Sequence, residues 1–78
     1  METIRNKANT LFKHNIPAHI VTNEDSWFNG YITKITDDYL SILDRKHKKD
    51  KLVFYADIRI FTDFDGDYST LIKPEVKE

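Results

Sequence analysis

The sequence predicts a mainly β protein, in which an N-terminal α-helix precedes a five-stranded, strongly bent antiparallel barrel. Three observations support this fold class. The chain has 78 residues and no cysteine, so one small core must stabilise it without disulfides. Helical spacing of apolar residues occurs at the N-terminus, and short β-rich runs separated by turn residues follow it. One of only two glycines, Gly30, interrupts the longest of these runs.

The helix is predicted from four apolar residues near the N-terminus. Ile4, Ala8, Leu11 and Phe12 are spaced by four, three and one, which places them on one helix face with charged residues opposite. We expect about three turns. Pro17 ends the helix, because the residue before a proline is driven out of the helical region.

The strands are predicted from alternation and from β-branched and aromatic residues, at 16–22, 27–35, 39–43, 52–58 and 59–64. A lysine-rich loop over 44–51 separates the third from the fourth. Five short strands satisfy their edges by curling into a barrel, and Gly30 tolerates the bend that this requires. We predict one barrel domain over residues 1–62. The tail over residues 63–78 is expected to be weakly ordered or to lie on a neighbouring chain.

Charge and hydropathy limit the functional classes. The net charge is −1, so any nucleic-acid binding must come from local clusters of charge. One such cluster is the loop 44–51, with five basic residues against two acidic ones, whereas residues 57–67 hold four aspartates against Arg59. No apolar run has the length of a signal peptide or a membrane span, so we expect a soluble cytoplasmic protein with no membrane partner.

The order of these features resembles the Sm-like family of Sm, Lsm and Hfq proteins over residues 3–62. The first family motif is matched by Trp27, Gly30, Ile32, Ile35 and the strand 39–44, and the second by LVFYADIRIF. The resemblance implies an SH3-like barrel that assembles into a homo-oligomeric ring, usually of six or seven subunits. In such rings the fourth strand of one subunit pairs with the fifth strand of the next, and single-stranded RNA binds around the pore.

The resemblance and the charge pattern together predict an RNA-binding set. Two positions depart from the family pattern, because Leu40 replaces its Asn and Tyr55 replaces its basic residue. Base stacking then depends on tyrosines next to the turns, and phosphate contacts depend on the lysine-rich loop. The predicted RNA-binding residues are Asp38, Tyr39, Arg45, Lys46, Lys48, Lys49 and Tyr55. Each tyrosine has the alternative role of packing in the sheet, and the loop that of a solvated turn.

An oligomer interface is predicted on the apolar residues of the last two strands. An open edge strand with apolar flanks is a template for pairing with another chain. The predicted interface residues are Val53, Phe54, Ile58, Ile60 and Phe61. Alternatively, these side chains fill the core of the monomer.

Two other functional classes stay open, whereas catalysis and metal binding find little support. One alternative is a protein-interaction barrel with an SH3- or Tudor-like aromatic groove formed by Trp27, Phe28, Tyr31 and Tyr55. The other is a structural ring subunit whose acidic stretch over residues 57–67 repels nucleic acid. The aspartates at 63, 65 and 67 lack the glycine and glutamate that a calcium loop needs at positions six and twelve. The three histidines lack metal-ligand spacing, and no catalytic pairing is visible, so we expect no cofactor and no enzyme.

Overall fold

The fold begins with a short amphipathic helix. A computed structural model describes residues 3–74, and in it helix α1 spans Ile4–Lys13. The Thr3 hydroxyl caps its N-terminus by accepting a hydrogen bond from the Asn6 backbone N–H at 3.1 Å. Ala8 and Leu11 are buried, as the apolar spacing predicts. No helix among residues 3–74 has the length and apolar character that crossing a membrane requires.

Five strands and two short 3₁₀ turns follow the helix. The strands are β1 (Ala18–Thr22), β2 (Trp27–Ile35), β3 (Tyr39–Asp44), β4 (Lys49–Phe54) and β5 (Ile58–Asp63). One 3₁₀ turn, Tyr55–Asp57, links β4 to β5, and the other, Tyr68–Thr70, follows β5. The predicted bounds of β2 are confirmed at both ends.

The strands form one antiparallel sheet in the order β4-β3-β2-β1-β5. The mainly β class with an N-terminal helix is therefore confirmed. The expected closure into a barrel is not observed, because β4 and β5 are the two borders and do not pair among residues 3–74. The link between them is held elsewhere: the Tyr55 N–H donates to the Asp38 carbonyl, and the Asn23 N–H donates to the Asp57 carbonyl. These two hydrogen bonds join the link to the β2–β3 turn and to the β1–β2 turn. They do not form a ladder between β4 and β5.

The sheet is nevertheless strongly curved, as the length of this link requires. Four inter-strand spacings in a flat sheet would separate the borders by about 19 Å. The four residue steps from Phe54 to Ile58 span at most about 14 Å. A flat sheet is therefore excluded. The sheet must curve until the end of β4 and the start of β5 are close enough for the link to join them.

Gly30 lies near the middle of β2, between β1 and β3. It is paired with Ala18 of β1 and with Asp44 of β3, and a Cβ at this position would overlap the Leu43 carbonyl oxygen and lie 2.9 Å from its carbon. The close approach of the β3 backbone is therefore the reason for the glycine. The bulge in β2 lies three residues further on, at Thr33, where the register with β3 shifts.

One core lies between the curved sheet and α1. Its buried members are Ala8, Leu11, Ala18, Ile20, Ile32, Leu40, Ile42, Val53 and Ile58. A smaller cluster of Tyr31, Phe64 and Leu71 covers the opposite face of β2. Within the tail predicted over residues 63–78, Phe64 and Leu71 are buried against the sheet of their own chain, whereas weak order and contact with a neighbouring chain stay predictions. Residues 75–78 lie outside the described part.

The fourth strand begins earlier than predicted. The segment 44–51 was expected to be a loop, but β4 starts at Lys49, which pairs with Asp44. A tight turn makes this possible, because Lys48 adopts a φ of 58° and its N–H donates to the Asp44 carbonyl at 2.7 Å. The strand then ends at Phe54, and the predicted strand residues 55–57 form the 3₁₀ turn.

Candidate functional site

A wide groove takes residues from both borders of the sheet. It encloses about 1170 Å³ and takes residues from the β1–β2 turn, from the start of β2, from the β3–β4 turn and from both border strands. Its lining residues are Asp25, Ser26, Trp27, Phe28, Asn29, Arg45, Lys46, His47, Lys51 and Arg59. We call it the basic groove.

Charge in the basic groove is strongly one-sided. Four Lys and Arg side chains line it, against the single carboxylate of Asp25. Arg59 forms an ion pair with Asp25. Within residues 3–74, Arg45, Lys46 and Lys51 have no carboxylate partner. The groove therefore attracts anions although the whole chain is slightly acidic.

Trp27 forms the rim of the basic groove. Its side chain is 62% exposed, which is unusual for the largest apolar side chain, and it is the only tryptophan in the chain. The His19 ring meets it edge-on, with centroids 6.2 Å apart. On its other side Trp27 borders a second groove of about 310 Å³, lined by His19, Trp27, Asn29, Arg45, Thr62, Asp63, Phe64 and Asp65. Trp27 thus presents an aromatic surface between two adjoining grooves.

A buried carboxylate holds the floor of the basic groove in place. Asp44 is fully buried, and its carboxylate accepts hydrogen bonds from the Asn29 N–H, from the His47 N–H (each 3.0 Å) and from His47 Nδ1. Burial by itself raises the pKa of Asp44, but these hydrogen bonds from Asn29 and His47 outweigh it and lower the pKa below its usual value. The charged Asp44 therefore ties the β3–β4 turn to β2.

Arg45 is positioned by the segment that follows β5. Its Nη1 donates to the Thr70 hydroxyl at 2.7 Å, and its guanidinium lies 5.2 Å from the centre of the Phe64 ring. Phe64 itself packs on Tyr31. The segment after β5 therefore holds the Arg45 guanidinium where the two grooves meet.

The structure divides the predicted RNA-binding residues between two places. Arg45 and Lys46 line the basic groove, and Lys48 and Lys49 belong to the same hairpin but do not line it. The remaining three, Asp38, Tyr39 and Tyr55, lie together at the other end of β3, where the Tyr55 N–H bonds to Asp38. At about 3.3 Å per residue, the length of β3 separates the two groups by about 17 Å.

Both predicted stacking tyrosines are engaged within the sheet. The Tyr55 hydroxyl donates to the Thr36 carbonyl at 2.7 Å, and its ring packs against the core. Burial raises the pKa of the Tyr55 hydroxyl. The Tyr39 ring is half-buried against Phe54, with centroids 5.7 Å apart, and the Lys34 ammonium lies over it. Trp27 is far more exposed than either ring.

The predicted interface residues fall into two groups. Val53 and Ile58 are buried in the core, and Phe61 packs against it. Phe54 and Ile60, by contrast, are 48% and 39% exposed on the two border strands. Leu52, which the sequence interpretation left out, is 52% exposed on the same edge as Phe54.

The aromatic groove of the protein-interaction hypothesis is not assembled. Trp27 and Phe28 both line the basic groove, but Tyr31 is buried under Phe64, and Tyr55 lies beyond the far end of β3. In the part of the chain from 3 to 74, no cluster of three or more His, Asp or Glu side chains is arranged to hold a metal ion.

Sequence reasoning assigned Arg45 and Lys46 to RNA binding and counted Lys51 in the basic loop 44–51, but it did not join them with Trp27 and Arg59 in one site. The signal for Trp27 was its position at the start of the longest strand, beside polar turn residues. Comparison with known proteins adds no further guidance: no protein-family model matches the sequence, and no curated protein shows significant similarity to it. The function therefore has to be argued from the chemistry of the grooves.

Proposed function

We propose that the protein is a binding module for single-stranded RNA, rather than an enzyme, and that the RNA lies along the basic groove. The observation that carries this proposal is the exposed Trp27 indole in a groove with three cations that have no carboxylate partner within residues 3–74. Single-stranded nucleic acids offer the matching chemistry, because unstacked bases stack on aromatic rings and phosphates pair with Lys and Arg.

An Sm-like fold is part of the same proposal. The helix, the bent strand with Gly30, the Asp-containing turn and the short link between the last two strands follow in the order that the resemblance requires. The curvature of the sheet supports an SH3-like shape that is open along one seam. The resemblance to Sm-like proteins also favours RNA as the ligand.

We further propose that copies of the chain assemble into a ring through β4 and β5. Within residues 3–74 both strands are sheet borders that pair with a strand on one side only, and such borders readily pair with another chain. The exposed apolar residues Leu52, Phe54 and Ile60 lie on these two borders. Pairing β4 of one subunit with β5 of the next would cover them and would leave no open edge in a closed ring.

RNA binding can be tested directly, because Trp27 is the only tryptophan. Quenching of its fluorescence by unlabelled oligonucleotides reports stacking, and anisotropy of a labelled oligonucleotide gives the affinity. Losing one stacked base removes about 1–3 kcal/mol, so Trp27→Ala is expected to weaken binding by about tenfold or more. Tyr39→Ala serves as the comparison, and a larger loss in Tyr39→Ala than in Trp27→Ala would move the site to the other end of β3.

The phosphate contacts predict a defined dependence on salt. Three cations in contact with single-stranded phosphates give a slope of about −2 in log affinity against log salt for each bound subunit, at about −0.7 per contact. Lys46→Gln and Lys51→Gln are each expected to reduce the slope by about 0.7. Lys13→Gln, on α1 outside the groove, is the matched control and should leave the slope unchanged. A slope near zero in the unmodified protein would refute phosphate binding.

Assembly is tested by mass in solution. Light scattering of the 9.3 kDa chain is expected to give a several-fold multiple of this mass. Phe54→Asp and Ile60→Asp should each reduce the mass to that of a monomer. Phe12→Asp is the control, since Phe12 is 44% exposed but lies on α1. A folded monomer at high concentration would exclude the ring and leave the binding groove to be judged by the RNA experiments.

A further inference from the structure

A histidine and a buried carboxylate form a pair in the floor of the basic groove. The Asp44 side chain is fully buried, whereas the His47 side chain is 39% exposed and lines the groove. His47 Nδ1 is bonded to Asp44 Oδ2, and the His47 backbone N–H donates to the same oxygen at 3.0 Å. Two contacts to one oxygen therefore fix the imidazole beside the carboxylate.

This pair gains or loses its proton at His47 Nε2. Burial by itself raises the pKa of Asp44, but hydrogen bonds from Asn29 and His47 lower it overall, so the carboxylate is charged and can only accept. His47 Nδ1 therefore carries a proton in both charge states of the ring. Protonation of Nε2 is then the step that converts the ring to an imidazolium.

Protonation of His47 changes the net charge in the groove floor. With a neutral ring the pair carries the negative charge of Asp44, which opposes a bound phosphate. With an imidazolium the pair is neutral, and Lys46 and Lys51 attract phosphate without that opposition. The charge of an imidazolium is shared by the whole ring, so a phosphate in the groove is attracted whichever ring edge it meets.

The other ionisable groups of the basic groove are of different types. Among residues 3–74 those lining it, from the β1–β2 turn, the β3–β4 turn, β4 and β5, are Asp25, Arg45, Lys46, Lys51 and Arg59. Strand β2 contributes the uncharged Phe28 ring, 6.1 Å from the His47 ring, and Asn29. Lys48 is in the same turn as His47 but does not line the groove, and His19 borders the second groove. Histidine is the side chain that ordinarily changes charge near neutral pH, so a charge change there points to His47.

We propose that RNA binding in the basic groove takes up one proton at His47, which then serves as a further cation for phosphate. This inference rests on the proposed RNA-binding function. Because the bound state holds more protons than the free state, affinity rises as pH falls. One further cationic contact should strengthen binding about fivefold to tenfold at about 50 mM salt and steepen the salt slope by about 0.7.

The pH dependence of affinity tests this proposal. Anisotropy with labelled oligo-U is measured from about pH 7.5 to 5.5, the range in which histidine ordinarily changes charge. Uracil and the phosphodiester do not titrate in this range. We expect about fivefold to tenfold tighter binding at the lower pH. Calorimetry in buffers of different ionisation enthalpy should show proton uptake when the unmodified protein binds oligo-U.

Three variants separate the charge of His47 from its position. His47→Gln should bind at the lower pH as weakly as the unmodified protein binds at the higher pH, because it cannot become charged. His47→Arg carries a permanent charge and should bind tightly at both. His14→Gln is the matched control, since His14 lies at the end of α1 and lines neither groove, and it should keep the pH dependence.

The outcomes distinguish proton uptake from the underlying function. An affinity for oligo-U that is constant with pH, together with an intact salt slope, refutes the role of His47 and leaves RNA binding in place. A pH dependence that survives in His47→Gln also refutes it, because the proton is then taken up elsewhere. Absence of binding to every oligonucleotide overturns the proposed function and the proton uptake together.

Discussion

Replacing Gly30 by alanine tests the physical basis of the curved sheet. A Cβ on Gly30 would overlap the Leu43 carbonyl oxygen and lie 2.9 Å from its carbon, whereas ordinary contacts of a Cβ begin at 3.4 Å. The obstacle is backbone, so no change of rotamer relieves it. Strand β3 would have to move away from β2 at this point, and the overlap with the carbonyl oxygen sets the size of the shift.

The expected cost follows from three contributions. Forcing extra volume into a packed site costs about 1–3 kcal/mol. Weakening two neighbouring hydrogen bonds of the β2–β3 ladder costs about 0.5–1.5 kcal/mol each. The lower backbone entropy of alanine in the unfolded chain offsets roughly 0.5–1 kcal/mol. Taking the middle of each range, Gly30→Ala should lower the free energy of unfolding by about 3 kcal/mol.

Thermal and urea unfolding measure this loss. For a chain of this size, each 1 kcal/mol lowers Tm by about 4–8 °C, so a loss of about 3 kcal/mol corresponds to a decrease of roughly 12–24 °C. Gly66→Ala is the matched control. A Cβ on Gly66 meets the Phe64 ring, at 2.6 Å, and no backbone, so a shift of one side chain limits the loss to about 1 kcal/mol. If Gly30→Ala unfolds within about 0.5 kcal/mol of the unmodified protein, close backbone approach is not what requires the glycine.

Three further changes test local features of the fold by the same unfolding measurements. Lys48→Gly should raise stability by about 0.5–1 kcal/mol, because Lys48 holds a φ of 58° that glycine adopts without strain; no gain would argue against this turn geometry. Asp44→Asn should cost about 1–3 kcal/mol, since the amide turns a donor toward the N–H groups that the carboxylate accepts. The pKa of Asp44 is lowered in the fold, so its contribution is present above the unfolded pKa near 4 and should disappear as pH falls through the folded value; an acid limb unchanged in Asp44→Asn would contradict this. Thr3→Ala should cost about 1 kcal/mol by removing the helix cap, and a silent substitution would show that the cap is not formed in solution.

Much of the fold follows from local signals in the sequence. The spacing of Ala8 and Leu11 identifies the buried face of α1, and the bounds of β2 follow from alternation between two polar turns. The start of β4 could not be found in this way. Lysines at 48, 49 and 51 are typical of a solvated loop, but pairing with β3 forms the strand, so tertiary contacts outweigh the local preference.

The candidate site was only partly predictable for a related reason. Arg45 and Lys46 were found because charge is visible in the sequence. Trp27 shares its side of β2 with Tyr31, and periodicity treats the two alike. The structure separates them, because Phe64 and Leu71 cover Tyr31 and leave Trp27 exposed. Which part of a sheet face is covered depends on a segment more than thirty residues away, and no local pattern contains that information.

The open seam of the sheet and the basic groove are formed by the same two border strands, β4 and β5. Lys51 of β4 and Arg59 of β5 line the groove from opposite borders, so closing the seam would desolvate two cations and bring them together. Among the residues that line the groove, Asp25 is the one carboxylate, and it forms an ion pair with Arg59. An anionic strand in the groove would neutralise the cations without moving the borders. In the function proposed above, the open borders would pair with another copy of the chain, and the cations between them would contact phosphate.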